Sequence, residues 1–396
     1  MAASEETLAR AREHRLNRLR EEMAARDIGS VVLVDPVNVR YATGTRNMQI
    51  FSARNPARYA FVPVSGPVVM FEFAGCGHLS GDTSNVDEVR IATTTSYVAA
   101  AERLPGAVGT WAAEIADLAR AHGNRRIGLE RFNFHCGLAL SDMGFEIVDA
   151  QEPVERARAV KSDDEIALMR DSAALTMAGV GRLRESIRPG VTENELWAGL
   201  WRHVIAHGGD YIETRLLNSG ARTNPWFQEA SGKSIAAGEL ISLDTDVVGA
   251  WGYYCDFSRS FVCGGAATPA QRQLYRLAYE QIHHNMNLIR PGVGFAELSQ
   301  RGWRIPEDYF PNRYYVLAHG IGMTGEYPYI LYWDDHQRSG YDGVVEKNMV
   351  LCVESFIGSK DGGEGVKLEQ QVRVVDNGVE LMTDFPFDDD LLPPEY

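Results

Sequence analysis

Cysteine is scarce in this chain, with five residues among 396 and no CxxC pair. An odd number of scattered cysteines argues against a disulfide framework and against a structural zinc site. Long apolar runs are also missing, and no segment approaches the roughly 18 residues needed to cross a bilayer. The first 26 residues are charged throughout and have no apolar centre of the kind found in secretory signals. We therefore expect a cytoplasmic protein.

Basic residues are the second shortage, because 39 lysines and arginines stand against 54 aspartates and glutamates and the net charge is −15. A strongly acidic chain is repelled by phosphate backbones and by anionic lipid headgroups. Neither nucleic acid nor a membrane is therefore expected as a partner.

The length of 396 residues exceeds what one hydrophobic core usually organises and predicts two domains. In the first part, helical and strand-like periodicities alternate from Glu5 onward, which is typical of an α/β domain. A charged segment, 151–161, then leads into a capping box at Ser162 and Glu165, where a long helix begins that ends near Ile187. We predict domains at 1–158 and 159–396.

The second domain contains an internal repeat. The pentapeptide Ile-Arg-Pro-Gly-Val occurs at 187–191 and again at 289–293, and Glu-Leu follows shortly after each copy. Each copy ends one helical pattern with a Pro-Gly turn and precedes another, which indicates a shared supersecondary unit. Two related halves that face each other would leave a cleft between them.

Acidic residues interrupt two strand-like segments of the second domain. Between Leu240 and Val247 apolar and polar residues alternate, so Asp244 and Asp246 are predicted on one face of a strand. A turn with glycines leads to a second strand, whose polar face carries Asp256. If the two strands pair as a hairpin, the three aspartates converge.

Two glutamates and a histidine extend this set. Glu354 interrupts an apolar run, Glu369 lies on the polar face of a later strand, and His319 precedes a glycine. Taken singly, such acids are more often held in structural ion pairs, and such a histidine is more often a turn residue. Buried carboxylates nevertheless need compensation, and hard divalent ions prefer carboxylate oxygens. The order Asp, Asp, Asp, His, Glu, Glu along successive strands therefore predicts a metal centre.

Other chemical motifs fail in their context. The segment 320–325 matches GxGxxG, but Glu-Tyr-Pro follows instead of a helix, so a dinucleotide site is not expected. GxSxG, HExxH and P-loop patterns are absent from the sequence.

At these acidic residues the sequence resembles the pita-bread metalloenzymes, the family of methionine aminopeptidase, prolidase and creatinase. The resemblance covers nearly the whole chain and implies an α/β (α+β) fold, with a creatinase-like N-terminal domain before a pita-bread catalytic domain. It also implies a homodimer in which residues 40–54 help to cover the partner's cleft, and a centre of two divalent metal ions. The metal ligands that the resemblance implies are Asp244, Asp246, Asp256, His319, Glu354 and Glu369.

Peptidases of this family use two further histidines, and neither is present here. Trp226 stands where the first is expected, and Glu326 occupies the position of the second. Because general acids and bases each contribute roughly 100-fold to 10,000-fold, the loss of both argues against peptide hydrolysis.

The chain is also similar to the dimethylsulfoniopropionate lyases of the DddP type, a branch with the same third aspartate. In those lyases a tyrosine before the metal-binding histidine contacts the substrate, and an aspartate after it removes the α-proton. Tyr314 matches the tyrosine, but Gly325 stands at the aspartate position, and Phe51 stands where the lyases have tryptophan. The similarity implies iron, while the ligand chemistry also permits manganese, cobalt or zinc. The similar stretches are 40–43, 47–49, 212–217, 222–229 and 319–322.

The leading hypothesis is therefore a metal-dependent lyase that cleaves dimethylsulfoniopropionate, or a related small zwitterion, to dimethyl sulfide and acrylate. Trp226, Tyr314 and Phe51 are the candidate substrate-binding aromatics that would face the cationic group, with core packing as their alternative role. Glu326 and Asp246 are the candidate catalytic bases. Two alternatives stay open: a creatinase-like or Xaa-Pro dipeptidase-like metallohydrolase of a small C–N substrate, and a non-catalytic binding protein.

Overall fold

The computed structural model describes residues 4–81, 85–123 and 125–392 of the chain, which divides into two compact units at Arg158 and Ala159. The alternation of helices and strands predicted for the first part of the chain is confirmed. Within the described ranges, every helix is too short or too polar to span a bilayer.

The N-terminal unit is a mixed sheet with helices packed on it. Its helices are α1 (Glu5–Ala24), α2 (Pro36–Thr43), α3 (Gln49–Arg54), α4 (Tyr97–Ala100), α5 (Leu104–Ala121), α6 (Phe134–Asp142) and α7 (Gln151–Ala159). Its strands are β1 (Ser30–Leu33), β2 (Tyr59–Pro63), β3 (Val69–Glu72), β4 (Glu88–Ile91), β5 (Arg126–Leu129) and β6 (Glu146–Asp149). The strand order is β4-β3-β2-β1-β5-β6, and the core lies where Trp111 and Ile115 of α5 pack against Val32 and Phe61 of the sheet.

The C-terminal unit combines long helices with curved antiparallel strands. Its helices are α8 (Asp163–Ser186), α9 (Glu193–Ala206), α10 (Pro269–Leu288), α11 (Phe295–Arg301) and α12 (Trp333–Ser339). Its strands are β7 (Tyr211–Ile212), β8 (Leu217–Ser219), β9 (Leu240–Asp244), β10 (Val247–Val248), β11 (Tyr254–Cys255), β12 (Ser258–Val262), β13 (Val316–Ile321), β14 (Gly325–Leu331), β15 (Val350–Gly358), β16 (Gly365–Val375) and β17 (Gly378–Leu381).

These strands form sheets of order β11-β10-β7, β12-β9-β8 and β14-β13-β15-β16-β17. The second and third sheets are joined at Ser260 of β12, whose Oγ accepts from the Lys367 main-chain N–H and donates to its carbonyl, both at 3.1 Å. Their apolar faces pack against the helices, because strand parity places apolar and polar side chains on opposite faces. The polar faces of β9, β12, β15 and β16 consequently meet inside the unit.

The internal repeat corresponds to one structural unit that occurs twice. Gly190 and Gly292, the glycines of the two Pro-Gly turns, both have a left-handed φ, at 89° and 87°. The turn at Gly190 donates to the carbonyl of Ile235 at 2.8 Å, and the turn at Gly292 donates to that of Val345 at 2.9 Å. Each copy therefore joins two helices and binds a later extended segment in the same way, which confirms the predicted supersecondary repeat.

Candidate metal centre

The six predicted ligands come together in the C-terminal unit. Donor atoms of Asp244, Asp246 and Asp256 lie within 4.8 Å of one another, and so do those of Asp256, His319, Cys352 and Glu369. Glu354 joins this set through an Oε1 to Nε2 distance of 3.4 Å to His319. All six side chains are buried, with at most 9% of any residue exposed.

Strand register explains why these residues meet. Glu354 of β15 lies directly opposite Glu369 of β16, and Asp244 of β9 lies opposite Ser258 of β12. Residues that are directly opposite in an antiparallel pair point to the same face. The Ser258 hydroxyl then contacts acids of both sheets, at 2.8 Å from Asp244 Oδ1 and 2.8 Å from Glu369 Oε2.

Asp246 reaches the cluster in a way that simple alternation does not predict. The strand β9 ends at Asp244, and Asp246 has a left-handed φ of 43°, so the predicted continuous strand to Val247 is wrong. Left-handed backbone in a residue other than glycine is strained, and aspartate tolerates it better than most. Thr214 Oγ1 donates to one carboxylate oxygen of Asp246, and Tyr254 Oη donates to the other at 2.9 Å.

His319 is oriented by its own neighbour in the chain. With Nδ1 protonated, the ring donates to the Gly320 carbonyl at 3.0 Å and leaves the Nε2 lone pair directed at the acids. Nε2 lies 3.4 Å from Glu354, 3.7 Å from Glu369 and 3.9 Å from Asp256. This is the orientation that a metal-binding imidazole needs.

Lys367 lies at this centre although the sequence patterns did not predict it there. Its fully buried ammonium lies 2.6 Å from Glu354, 3.1 Å from Glu369 and 3.4 Å from Asp244. It also donates to Ser258 Oγ at 2.7 Å. The signal was available, because Lys367 lies two residues before Glu369 and therefore on the same face of β16.

The charges of the cluster test whether it suits divalent cations. Asp244, Asp246, Asp256, Glu354 and Glu369 are five carboxylates, and Lys367 supplies one positive charge. Four negative charges are left, which two divalent ions would neutralise. Glu369 Oε1 has no hydrogen-bond partner among the described residues although the side chain is fully buried. This is expected of a carboxylate oxygen that binds a cation. The donor set therefore fits a pair of metal ions.

Burial and mutual repulsion make the cluster retain protons. Burial raises the pKa of Asp244 to about 7 against the opposing charge of Lys367. Burial, followed by the charge of Asp244, raises the pKa of Asp246 to about 7. Burial alone would lower the pKa of His319, but the carboxylates of Glu354 and Glu369, at 3.4 Å and 3.7 Å from Nε2, raise it well above its usual value. Metal ions would therefore displace protons when they bind.

Aromatic side chains border the cluster on the side of Lys367. The ammonium lies 5.7 Å from the ring centroid of Trp226 and 5.2 Å from that of Tyr314. Tyr314 in turn lies 5.3 Å from Phe227 and 5.8 Å from Tyr315, measured between ring centroids. The structure therefore brings Trp226 and Tyr314 to the acids, and Lys367 already occupies the position facing both rings.

Glu326 is not brought to the cluster. Glu326 of β14 pairs with Gly320 of β13, the residue next to His319. Successive residues of a strand point to opposite faces, so the Glu326 side chain points to the face away from that of His319. Its carboxylate forms a buried ion pair with Lys161 at 2.6 Å. A carboxylate held on the other side of the sheet does not reach a substrate at the acids, and the role of base predicted for Glu326 is corrected here for this physical reason.

Phe51 belongs to the N-terminal unit, where it lies on α3. Its side chain is half exposed, and its ring centroid lies 5.9 Å from that of Phe73. Neighbouring Met48 and Ile50 are also about half exposed. Phe51 is thus part of an apolar surface patch of its own unit.

Comparison with known sequences identifies relatives for both units. Residues 167–376 match the model of metallopeptidase family M24, and residues 15–160 match the creatinase/prolidase N-terminal domain. The dimethylsulfoniopropionate lyase DddP of Roseovarius nubinhibens is 39% identical over 97% of this chain and 88% of its own length. The DddP lyase of Roseobacter denitrificans is 36% identical over 98% of this chain and 89% of its own length.

Comparison with solved structures supports the same fold. An Xaa-Pro dipeptidase from Bacillus anthracis superimposes with a TM-score of 0.75 over 95% of this chain and 98% of its own, at 21% identity. A prolidase from Pyrococcus horikoshii gives 0.74 over 94% and 99%, at 19% identity. At such identities the likeness extends to the fold alone, and it confirms the creatinase-like and pita-bread architecture.

Proposed function

We propose that this chain, which belongs to metallopeptidase family M24, is a metal-dependent lyase that cleaves dimethylsulfoniopropionate to dimethyl sulfide and acrylate. The observation that carries the proposal is the 36–39% identity to two lyases of that name over nearly the whole chain. In the proposed reaction a base removes a proton beside the substrate carboxylate. The bond between the β-carbon and sulfur then breaks, and the sulfide leaves with the electron pair.

Two divalent ions are proposed at the acidic cluster, held by Asp244, Asp246, Asp256, His319, Glu354 and Glu369. Iron is our first choice on the resemblance to the lyases, and oxygen and nitrogen donors also suit manganese, cobalt and zinc. When bound, such ions would polarise the substrate carboxylate and stabilise the charge that develops on it.

The cationic end of the substrate is proposed to face aromatic rings at the rim. Because Trp226 and Tyr314 already face the ammonium of Lys367, the outer rings of Phe227 and Tyr315 are better placed to meet a sulfonium group from solution. Phe227 is 58% exposed and Tyr315 is 48% exposed. Contacts between cations and such rings contribute about 0.5–2 kcal/mol. Tyr314 and Trp226 would then orient Lys367, and Phe51 stays a proposed substrate contact on the resemblance alone.

Two carboxylates are candidates for the base. Asp246, proposed from the sequence, is held by Thr214 and Tyr254 at the edge of the acids. Glu213 is a second candidate: its main-chain N–H donates to the Asp246 carbonyl at 3.0 Å, and its exposed carboxylate accepts from Thr324 Oγ1 at 3.4 Å. Thr324 directly precedes Gly325, the position at which the lyases have their aspartate, so Glu213 is proposed to supply a carboxylate near that place.

The test of the function is dimethyl sulfide release, measured by headspace gas chromatography on protein loaded with ferrous iron. Release that depends on added metal is expected. Xaa-Pro dipeptides and creatine, assayed in parallel, should be cleaved negligibly, because Trp226 and the ion-paired Glu326 replace the histidines of the peptidases. Absence of dimethyl sulfide together with efficient hydrolysis of either C–N substrate would favour the metallohydrolase instead.

The identity of the base is tested by paired variants. Glu213→Gln should keep its metal content and lose roughly 100-fold or more in rate if Glu213 is the base. Asp246→Asn should instead lose metal as well as activity. Full activity in Glu213→Gln would leave Asp246 as the remaining candidate. A homodimer and a cytoplasmic location, both expected from the sequence, stay part of the proposal.

A further inference from the structure

We propose that the thiol of Cys352 is an additional donor to the metal ion on the His319 side of the centre, which makes the two metal positions chemically unequal. The inference rests on the proposed function only in requiring a metal centre at these acids. It concerns the class of ion that each position prefers.

Strand register places Cys352 on the metal-facing side of the sheet. Cys352 of β15 lies directly opposite His319 of β13 and directly opposite Gln371 of β16. It also lies two residues before Glu354 on the same strand, and therefore on the same face. Three ligand-type side chains, Cys352, His319 and Glu354, consequently share one face of two paired strands.

The distances place the sulfur among the donor atoms. Cys352 Sγ and donor atoms of Asp256, His319 and Glu369 all lie within 4.8 Å of one another, and all four residues are buried. The thiol donates to the main-chain carbonyl of Asp256 at 3.5 Å, so it is directed toward a predicted ligand. Glu369 Oε1, in the same group, has no hydrogen-bond partner among the described residues. Its nearest ion-pair contact is His319 Nε2 at 3.7 Å, and a buried carboxylate oxygen that accepts no hydrogen bond points independently to a cation at this place.

The other buried cysteines have a different environment. Cys255 and Cys263 pack within the apolar cluster of the α8 and α9 helices, and Cys136 packs within the apolar core of the N-terminal unit. These three act as small hydrophobic side chains. Cys352 instead lies among carboxylates and an imidazole. Apolar packing therefore does not account for a cysteine at this position.

The two halves of the centre therefore offer different donors. Asp244, Asp246 and Asp256 provide oxygen alone, which suits hard ions such as manganese or magnesium. The half with His319 adds nitrogen and, with Cys352, sulfur, which suits zinc, cobalt or ferrous iron. When the sulfur binds an ion, the thiol proton leaves to solvent, so no oxidant or reductant is needed.

The experiment uses cobalt(II) as the probe, added to the full-length protein after removal of metal under reducing conditions. A cobalt–thiolate bond absorbs in the near-ultraviolet, and we expect such a band to grow until one cobalt ion is bound per chain. X-ray absorption of the loaded protein should show a sulfur neighbour at about 2.3 Å. Cys352→Ser should lose both signals, whereas the control Cys263→Ser, a buried cysteine of an apolar cluster, should keep them.

Three outcomes would overturn the proposal. Two bound cobalt ions without a thiolate band would remove Cys352 from the coordination and leave the metal centre intact. A band that persists in Cys352→Ser would assign the sulfur to another residue. Failure to bind cobalt at all would reject the metal centre, and the donor with it. If the serine variant does not fold, Cys352→Thr, which keeps a side chain suited to a strand, takes its place, and the X-ray measurement on the parent protein stands by itself.

Discussion

Lys367 supplies a positive charge inside a fully buried set of acids, and its removal should therefore have opposite effects on the fold and on metal binding. In metal-free protein, Lys367→Met leaves the carboxylates of Glu354, Glu369 and Asp244 without their ammonium partner. We expect a loss of about 3–5 kcal/mol in the free energy of unfolding. Affinity for divalent ions should rise, because the site becomes more negative.

The measurement is denaturant unfolding of the chelator-treated protein, followed by metal titration against a competing chelator. Lys347→Met is the matched control, since Lys347 is 53% exposed and pairs with Asp376 at the surface. The control should lose less than about 1 kcal/mol. Equal losses in both variants would contradict the role assigned to Lys367.

The raised pKa values of the acidic cluster give metal-free protein an unusual dependence on pH. Burial raises the pKa of Asp244 and of Asp246 to about 7, while both titrate near 4 in the unfolded chain. The folded state therefore binds more protons between about pH 4 and pH 7, and stability in that window falls as pH rises. The raised pKa of His319 also makes stability fall as pH rises, in the range above the ordinary pKa of histidine.

We accordingly expect chelator-treated protein to melt at a lower temperature at pH 8 than at pH 6. Metal-loaded protein should show the reverse trend, because protons compete with the ions for the same carboxylates. Thermal melts at several pH values, with and without metal, provide the test. A metal-free protein that is more stable at pH 8 would show that these carboxylates are ionised in the fold.

At the scale of elements, β14 carries a buried ion pair that connects it to the segment before α8. Lys161 and Glu326 are 3% and 2% exposed, so each needs the opposite charge of the other to stabilise its ionised form. Glu326→Gln should cost about 3–5 kcal/mol, because it leaves the Lys161 ammonium buried without its carboxylate. Replacing both, as Lys161→Met with Glu326→Leu, should restore most of the loss.

Urea unfolding of the single and double variants, with dimethyl sulfide release measured below the unfolding transition, checks this prediction. Glu326→Gln should retain activity whenever it is folded. If Glu326→Gln were as stable as the parent protein but inactive, Glu326 would have a role in catalysis after all.

At the scale of the whole molecule, α3 offers the surface for the proposed homodimer. Met48, Ile50 and Phe51 lie within four consecutive positions, and each is more than half exposed. Contiguous apolar side chains of this kind mark interaction surfaces more often than single ones do. Ile50→Asp should therefore convert dimer to monomer, as measured by light scattering after size exclusion.

Val98→Asp is the control for the dimer, because Val98 is 90% exposed on α4 of the same unit. It should leave the molecular mass unchanged. A parent protein that is monomeric throughout would reject the dimer, and a dimer unaffected by Ile50→Asp would place the interface elsewhere.

Strand parity is a local property, and for that reason the sequence by itself was sufficient for much of the centre. Asp244 and Glu369 were predicted on polar strand faces, and the structure has them there because side chains alternate at every residue of a strand. The Pro-Gly repeat likewise predicted two equivalent helix connections, since turn chemistry depends on a few adjacent residues.

Tertiary structure decided what depends on residues far apart in the chain. Asp246 turns to the acids through a left-handed backbone held by Thr214 and Tyr254, which no alternation pattern contains. Glu326 of β14 lies opposite Gly320, on the sheet face away from His319, and the charge that neutralises it there comes from Lys161, distant in sequence. Parity places Lys367 on the face of Glu369, but its contacts with Asp244 and Ser258 exist only because β9 and β12 pack on β16. Local periodicity determines which face a side chain occupies, whereas the partner that compensates a buried charge is selected only when the sheets pack together.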